Sequence, residues 1–216
     1  MSSEQRSDFI QYQTTRLSEE IAEGTGALTQ ACDALAAYDL LASYGTDEFI
    51  GSNGNVSCRA AAGGFVITAT QLAAKAGLTP ADFVRVTNCS GDSDRFTMEF
   101  HGPCLPSSES LMHWHLYRQF PDITAIVHVH EANDRLFADR HRWEDLAVVE
   151  TPRSGATGTM ALGEVAAEAF TSPSRYVILK DHRPDWDLER TGTVVLGRSL
   201  AEAVGRALHV HDQLAP

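Results

Sequence analysis

Apolar residues recur in steps of three and four from Leu28: Leu28, Ala31, Leu35, Tyr38 and Ala42 fall on one face, and Gly45 reads as the stop. The pattern then changes period. Residues 49–59 form a Gly/Asn/Ser-rich turn running into a short strand, Gly63-Gly64 reads as a hairpin turn, and 65–68, 83–86 and 95–100 read as strands. The first half is thus a helix followed by an antiparallel meander. In the second half a helix is expected from Ser107 to about Phe120, on the stripe Met112, Leu116, Phe120. A strand over 123–130, a helix near 131–139, a strand over 146–149, a helix from Gly163 to Phe170 and strands over 176–179 and 193–196 follow. Ser199 caps a last helix with Leu200, Ala203, Val204, Ala207 and Leu208 on one face. Helices and strands alternate with no long linker and no repeat, which predicts a single-domain α/β protein, a layered α/β/α sandwich with a mixed, largely antiparallel sheet. Residues 1–14 are polar and aperiodic and are expected to form a frayed arm, leaving 15–216 as the domain.

Composition narrows the partners. A net charge of −12 opposes a nucleic-acid backbone, which requires a basic footprint. No apolar run reaches the length of a membrane span, and Met1-Ser2-Ser3-Glu4-Gln5-Arg6 lacks a signal-peptide pattern. Cys32, Cys58, Cys89 and Cys104 are scattered with no Cys-x-x-Cys pair, and read as reduced thiols of a cytoplasmic protein. The partner expected is a small molecule.

The chemistry concentrates on Val127-His128-Val129-His130. Side chains alternate along a strand, so the two histidines share a face about 7 Å apart and can converge on one divalent metal. Two histidines paired with carboxylates on a solvated face are the plainer alternative. His182, directly after the strand over 176–179, is the candidate third ligand, because ligand sites collect at strand ends. Three histidines with an open position are the pattern of a catalytic metal. Glu109, in the first turn of its helix, is the candidate acid/base, with Ser107 as N-cap. Ser107, Ser108 and the Gly54-Asn55 turn offer donors that suit an anion. His113 and His115 lie two apart on a helix and read as surface or interface residues. His101, at a strand end, is a further candidate for the site, and Trp143 and Trp186 read as interface anchors in polar loops.

Gly54-Asn55-Val56-Ser57, Leu105-Pro106-Ser107-Ser108-Glu109, and His128-Val129-His130 after a Pro-Asp turn resemble, in this order and spacing, the class II aldolase/adducin family. The resemblance runs from about Leu28 to His211. It implies a three-histidine metal site, usually zinc with Fe2+, Mn2+ or Co2+ as alternatives, and homotetramers with active sites near subunit contacts. It matches His128, His130 and His182 to the ligands, Glu109 to a proton-shuttling carboxylate, and Gly54, Asn55, Thr70, Ser107 and Ser108 to substrate-binding positions. Glutamate at 109 leans towards fuculose-phosphate aldolase rather than the ribulose-phosphate 4-epimerase branch.

Three departures stand out. The family's Thr-Pro-Thr-Gly loop is Thr68-Ala69-Thr70-Gln71 here, which removes the glycine that lets backbone approach a phosphate; Lys75, four residues on, is the candidate to compensate. The aldolase tyrosine is missing near residues 148–155, where Arg153 and Glu150 are the available substitutes. Residues 183–191 read as an insertion between His182 and Gly192. The function expected is that of a metal-dependent lyase, aldolase or decarboxylase in type, cleaving a small hydroxy-carbonyl compound through a metal-stabilised enediolate. The rivals are a non-catalytic adducin-like assembly module and an iron-dependent redox enzyme.

Overall fold

The computed structural model describes residues 11–45, 50–92, 95–171, 175–183 and 187–214. Eleven strands and six α-helices are assigned among them. The chain begins with β1 (Gln13–Ser18), α1 (Gly26–Ala37), β2 (Ser43–Gly45), β3 (Ile50–Ser52), β4 (Asn55–Arg59), β5 (Phe65–Thr68), β6 (Phe83–Asp92) and β7 (Arg95–His101). It continues with α2 (Ser110–Gln119), β8 (Ala125–Ala132), α3 (Asn133–Ala138), α4 (Arg142–Asp145) and β9 (Val148–Glu150). The last elements are α5 (Met160–Ala169), β10 (Tyr176–Ile178), β11 (Arg190–Gly197) and α6 (Leu200–Gln213).

Nine strands form one sheet in the order β1-β7-β6-β5-β4-β8-β11-β10-β9, and β2 and β3 pair separately. Only the two edge pairings, β1 with β7 and β10 with β9, are parallel. The sheet is therefore mixed and largely antiparallel, and the meander expected in the first half runs through β4, β5, β6 and β7.

Alternation along β8 assigns its two faces. Val127 and Val129 pack with Leu28 and Leu35 of α1 and Ala203 and Ala207 of α6 in one apolar cluster. Ile126 packs with Leu111, Met112 and Leu116 of α2 and Leu162 and Val165 of α5 in the other. Helices thus cover both faces. The odd residues of β8 belong to the α1/α6 layer, so the even ones, His128 and His130, belong to the α2/α5 layer.

Several boundaries differ from the pattern. The predicted arm overlaps ordered chain: Tyr12 is buried, its hydroxyl donates to Ser107 O at 2.7 Å, and β1 starts at Gln13. Residues 1–10 lie outside the described residues. The first helix ends at Ala37, short of Ala42, and Gly45 sits in β2 instead of stopping it. Asp39 adopts a left-handed φ of 61°, and Asp39 N and Leu40 N return to Ala36 O and Leu35 O at 3.0 and 3.1 Å. This is a Schellman closure with Asp in the place glycine usually takes. Leu40 O then accepts from His130 N at 3.0 Å, so this helix stop braces the end of β8.

Candidate metal and substrate site

Register puts the first residues together. Asn55 of β4 is the cross-strand partner of His128, and Gly192 of β11 is that of His130. Cross-strand partners share a face. His128 and Asn55 therefore project side by side beneath the start of α2.

His182 arrives by a different route. Asp181, with φ of 57°, turns the chain after β10, and His182 O accepts from Gly192 N at 2.9 Å. The segment expected as an insertion is thus closed at its base by the backbone bond between His182 and Gly192, although Arg190 and Thr191 already belong to β11. Pro184, Asp185 and Trp186 lie outside the described residues, and with them the expectation for Trp186. Gly192 is there of necessity. A Cβ on it would stand 2.1 Å from His182 Cδ2 and 2.9 Å from His128 Cε1. Gly54, at φ of 69°, is equally constrained, because a Cβ would meet His128 O at 2.4 Å.

The three imidazoles form a near-equilateral cluster, with ring centroids 5.0, 5.2 and 5.4 Å apart. Glu109 closes it. Its Oε2 lies 2.8 Å from His128 Nε2 and its Oε1 lies 2.8 Å from His182 Nε2. Asn55 Nδ2 donates to the same Oε2 at 2.8 Å. Glu109 precedes α2, at its N-cap position, and makes no side-chain capping bond. This corrects the expected placement inside the first turn with Ser107 as cap; Ser107 O instead accepts from Ser110 N at 3.0 Å in the turn before the helix.

Burial and the neighbouring groups set the protonation states between them. Burial raises the Glu109 carboxyl, but the charges of His128 and His182 and their hydrogen bonds outweigh it and hold the group well below the usual carboxylate range. His130 is pulled well below its usual value by burial first and by His128 and His182 next, so its imidazole is neutral. Neutral imidazole is the form that ligates metal.

The donor set fits a divalent ion. His128 Nδ1 faces Thr193 O at 2.9 Å, and a carbonyl only accepts, so Nδ1 carries a proton and Nε2, which here meets the Glu109 carboxylate, is the nitrogen that would turn to an ion. His182 Nδ1 faces Thr157 Oγ1 at 3.3 Å. One ligand nitrogen from each of the three histidines lies within 4.8 Å of the others. His128 and His130 bring their Nε2 atoms to 3.2 Å. Two nitrogens about 2.0–2.1 Å from one tetrahedral ion stand about 3.3 Å apart, so this spacing suits a shared ion.

One cavity of about 270 Å³ opens beside the cluster. Gly54, Asn55, Thr70, Ser107, Ser108, Glu109, His130 and His182 line it, so these sequence-predicted residues meet in one place. His128 stands fully buried behind Glu109. Gln71 also lines the cavity and adopts φ of 55°, so the loop keeps a left-handed conformation without the glycine expected to supply it.

Four residues read differently from their sequence context. His113 is fully buried and pairs with Ser57, where a surface position was expected. His101 bonds Ser18 and lines a separate cavity. Arg153, a proposed stand-in for the missing tyrosine, is tied to Glu168 in an exposed pair. Trp143 is partly buried against Phe137 and donates to Leu136 O at 2.9 Å. Sequence reasoning passed over Thr157, which contacts His182 from a Gly155-to-Gly158 loop with no periodic signal, whereas Lys75, the candidate to compensate for the missing loop glycine, does line the cavity.

Comparison with known proteins gives four findings. A family profile described as the class II aldolase and adducin N-terminal domain matches residues 32–215. The 5-methylthioribulose-1-phosphate/5-deoxyribulose-1-phosphate aldolase of Rhodospirillum rubrum is 30% identical over 170 residues, covering 75% of this chain and 69% of that protein. A methylthioribulose-1-phosphate dehydratase of Xanthomonas oryzae pv. oryzae is 30% identical over 130 residues, 52% of this chain and 57% of its own length. Among solved structures, the l-fuculose-1-phosphate aldolase of Thermus thermophilus superposes with a TM-score of 0.60 at 22% identity, over 87% of this chain and 89% of that one.

Proposed function

The chain belongs to the class II aldolase and adducin family, and from that premise we propose that it is a metal-dependent lyase acting on a small hydroxy-carbonyl compound. The observation that carries the reading is the convergence of three buried imidazoles and one carboxylate on a single cavity. Both named relatives, an aldolase and a dehydratase, are lyases.

His128, His130 and His182 would hold the ion, with zinc the preferred species. When bound, it supplies Lewis acidity to a substrate oxygen on which negative charge develops. Glu109 is the group that takes a hydroxyl proton from one fragment as the bond breaks and returns a proton to the carbon of the other. Asn55 Nδ2 donates to Oε2 whether or not His128 and His182 give their Nε2 atoms to an ion, so Oε1 is the oxygen assigned to carry the proton. Asn55 also fixes the plane of the carboxylate. Thr70, Ser107, Ser108 and the Gly54 backbone bind and orient the rest of the substrate. In this reading the enzyme works as a cytoplasmic homotetramer.

The test is a panel of phosphorylated and free hydroxy-ketones and hydroxy-acids, assayed for aldol cleavage, decarboxylation and dehydration with and without chelator. Turnover of at least one substrate that chelator abolishes and added metal restores is expected. Turnover indifferent to chelator, or none across the panel with metal bound, contradicts the proposal.

A further inference from the structure

One rung crosses the sheet on the face opposite His128 and His130. Register links Cys58 of β4 to Val66 of β5, Val66 to Arg85 of β6, Arg85 to His101 of β7, and His101 to Ser18 of β1. Val66 belongs to the apolar cluster of the α1/α6 layer, and cross-strand partners share a face, so Cys58, Arg85 and His101 project into that layer too. In it α1 packs on β4 and α6 on β8, β10 and β11, which sets the helices over the other half of the sheet. Beside the rung lies a second cavity, of about 500 Å³, lined on its other side by residues 20–24 of the strap from β1 to α1. Its walls differ in kind along the rung. Cys58 and Val66, with Leu28 and Ala22, are apolar, whereas Arg85 and His101 present ring and guanidinium nitrogens.

Those nitrogens are uncommitted. Arg85 is partly buried, and among the described residues it forms no ion pair and donates no side-chain hydrogen bond. His101 Nδ1 meets Ser18 Oγ at 2.8 Å, while its Nε2 has no partner among the described residues. The other cation at this cavity, Arg59, is engaged: its guanidinium donates to Ile123 O and Tyr117 O, each at 2.6 Å. Glu20 and Glu23 stand exposed on the strap, where water and salt screen their charge. We propose that this cavity is a second binding site, for a small ligand with an aliphatic body and a carboxylate head.

Arg85 meets the head with its planar fork of donors, which matches a carboxylate in two parallel bonds. When the Ser18 hydroxyl donates to Nδ1, His101 carries its proton on Nε2 and adds a third donor. The aliphatic body lies along Val66 and Leu28 and covers Ile21, a strap residue that is 49% exposed. The two cavities share no lining residue, so this site stands whether or not the lyase reading does.

The experiment is calorimetric titration of the full chain with hexanoate, and with hexylammonium as the charge-reversed control. Wild type is expected to bind hexanoate at about 1 mM or tighter, and hexylammonium more weakly. Arg85→Gln should weaken hexanoate by at least about tenfold, and Arg85→Lys should recover part of that loss. Melting curves check that each variant is folded. Alkylation read by peptide mass spectrometry locates the ligand on the wild-type chain, independently of any variant. Bound hexanoate should slow labelling of Cys58, which lines the cavity, and leave Cys89, which lines neither, unchanged. Absence of hexanoate binding by wild type, preference for hexylammonium, equal binding by folded Arg85→Gln, or binding that leaves Cys58 unprotected overturns the proposal. Neither readout uses turnover, so a failed substrate panel and a failed titration are separate results.

Discussion

Two buried groups built around histidine lie against α2, and only one of them converges beside a cavity. In the first, His128, His130 and His182 aim ring nitrogens at one point, share a carboxylate and border a cavity. In the second, His113 Nδ1 meets Ser57 Oγ at 2.7 Å, Ser57 Oγ meets Tyr117 OH at 2.9 Å, and Phe65 stacks on the imidazole at 6.4 Å. The two are linked through the same strand and helix: Asn55 and Ser57 are two apart on β4, and Glu109 and His113 are four apart across the start of α2. Burial is common to both. The difference is that the hydroxyl of the second cluster satisfies one ring nitrogen and no second ligand faces the other, which is left without a partner. Burial first and His128 next, against a smaller opposing pull from Glu109, bring His113 down to about 3, so this ring is a neutral packing element. Convergence of lone pairs on open space, not the presence of histidine, marks the site.

That distinction can be attacked without touching a ligand. Gly192→Ala should drive His182 and His128 apart, because its Cβ would overlap both rings. The expected result is loss of metal and a fall in turnover of at least about 10³-fold, comparable to losing a ligand outright. Full metal content in a folded Gly192→Ala protein would show that the two rings need not share the ion. Glu109→Gln comes next. It removes the proton carrier but keeps the side-chain shape, so metal should stay while rate falls by about 10²–10⁴-fold.

For the second cluster the expected effect is on stability alone. His113→Ala should cost about 3 kcal/mol in denaturant unfolding by opening a cavity and removing one of the two partners of Ser57 Oγ, with metal stoichiometry unchanged. Its pH signature follows from the depressed value. The unfolded chain binds the proton that the folded one refuses, so stability is full above about pH 6.5 and drains as pH falls towards 3. His113→Asn should flatten that acid-side slope, measured by unfolding midpoints across the window. The smallest effect is expected at Thr157→Val, which removes the partner of His182 Nδ1 and should weaken metal affinity by about tenfold in a competition titration.

The sequence exposed the parts of this site that rest on local rules. Period-two alternation placed His128 and His130 on one face, and a strand end placed His182 nearby. The sandwich itself followed from alternating elements. What stayed hidden depends on long-range packing. His113 read as a surface residue because a two-residue spacing on a helix says nothing about which face meets the sheet; the Ser57 hydroxyl across from it decides that. The helix stop at Asp39 was invisible because a left-handed cap is signalled by glycine, and here aspartate takes it. Lys75 was legible only as a basic residue four positions beyond the altered loop, because nothing local shows that it packs beside Ser52 in the cavity wall.

The claim at the centre is that three imidazoles hold one divalent ion, and elemental analysis tests it most directly. Wild-type protein and His128→Ala, purified alike without added metal, are measured for metal per chain beside a melting curve that checks folding. The account predicts about one divalent ion per wild-type chain and essentially none in folded His128→Ala. A folded His128→Ala protein that keeps a stoichiometric ion would contradict it.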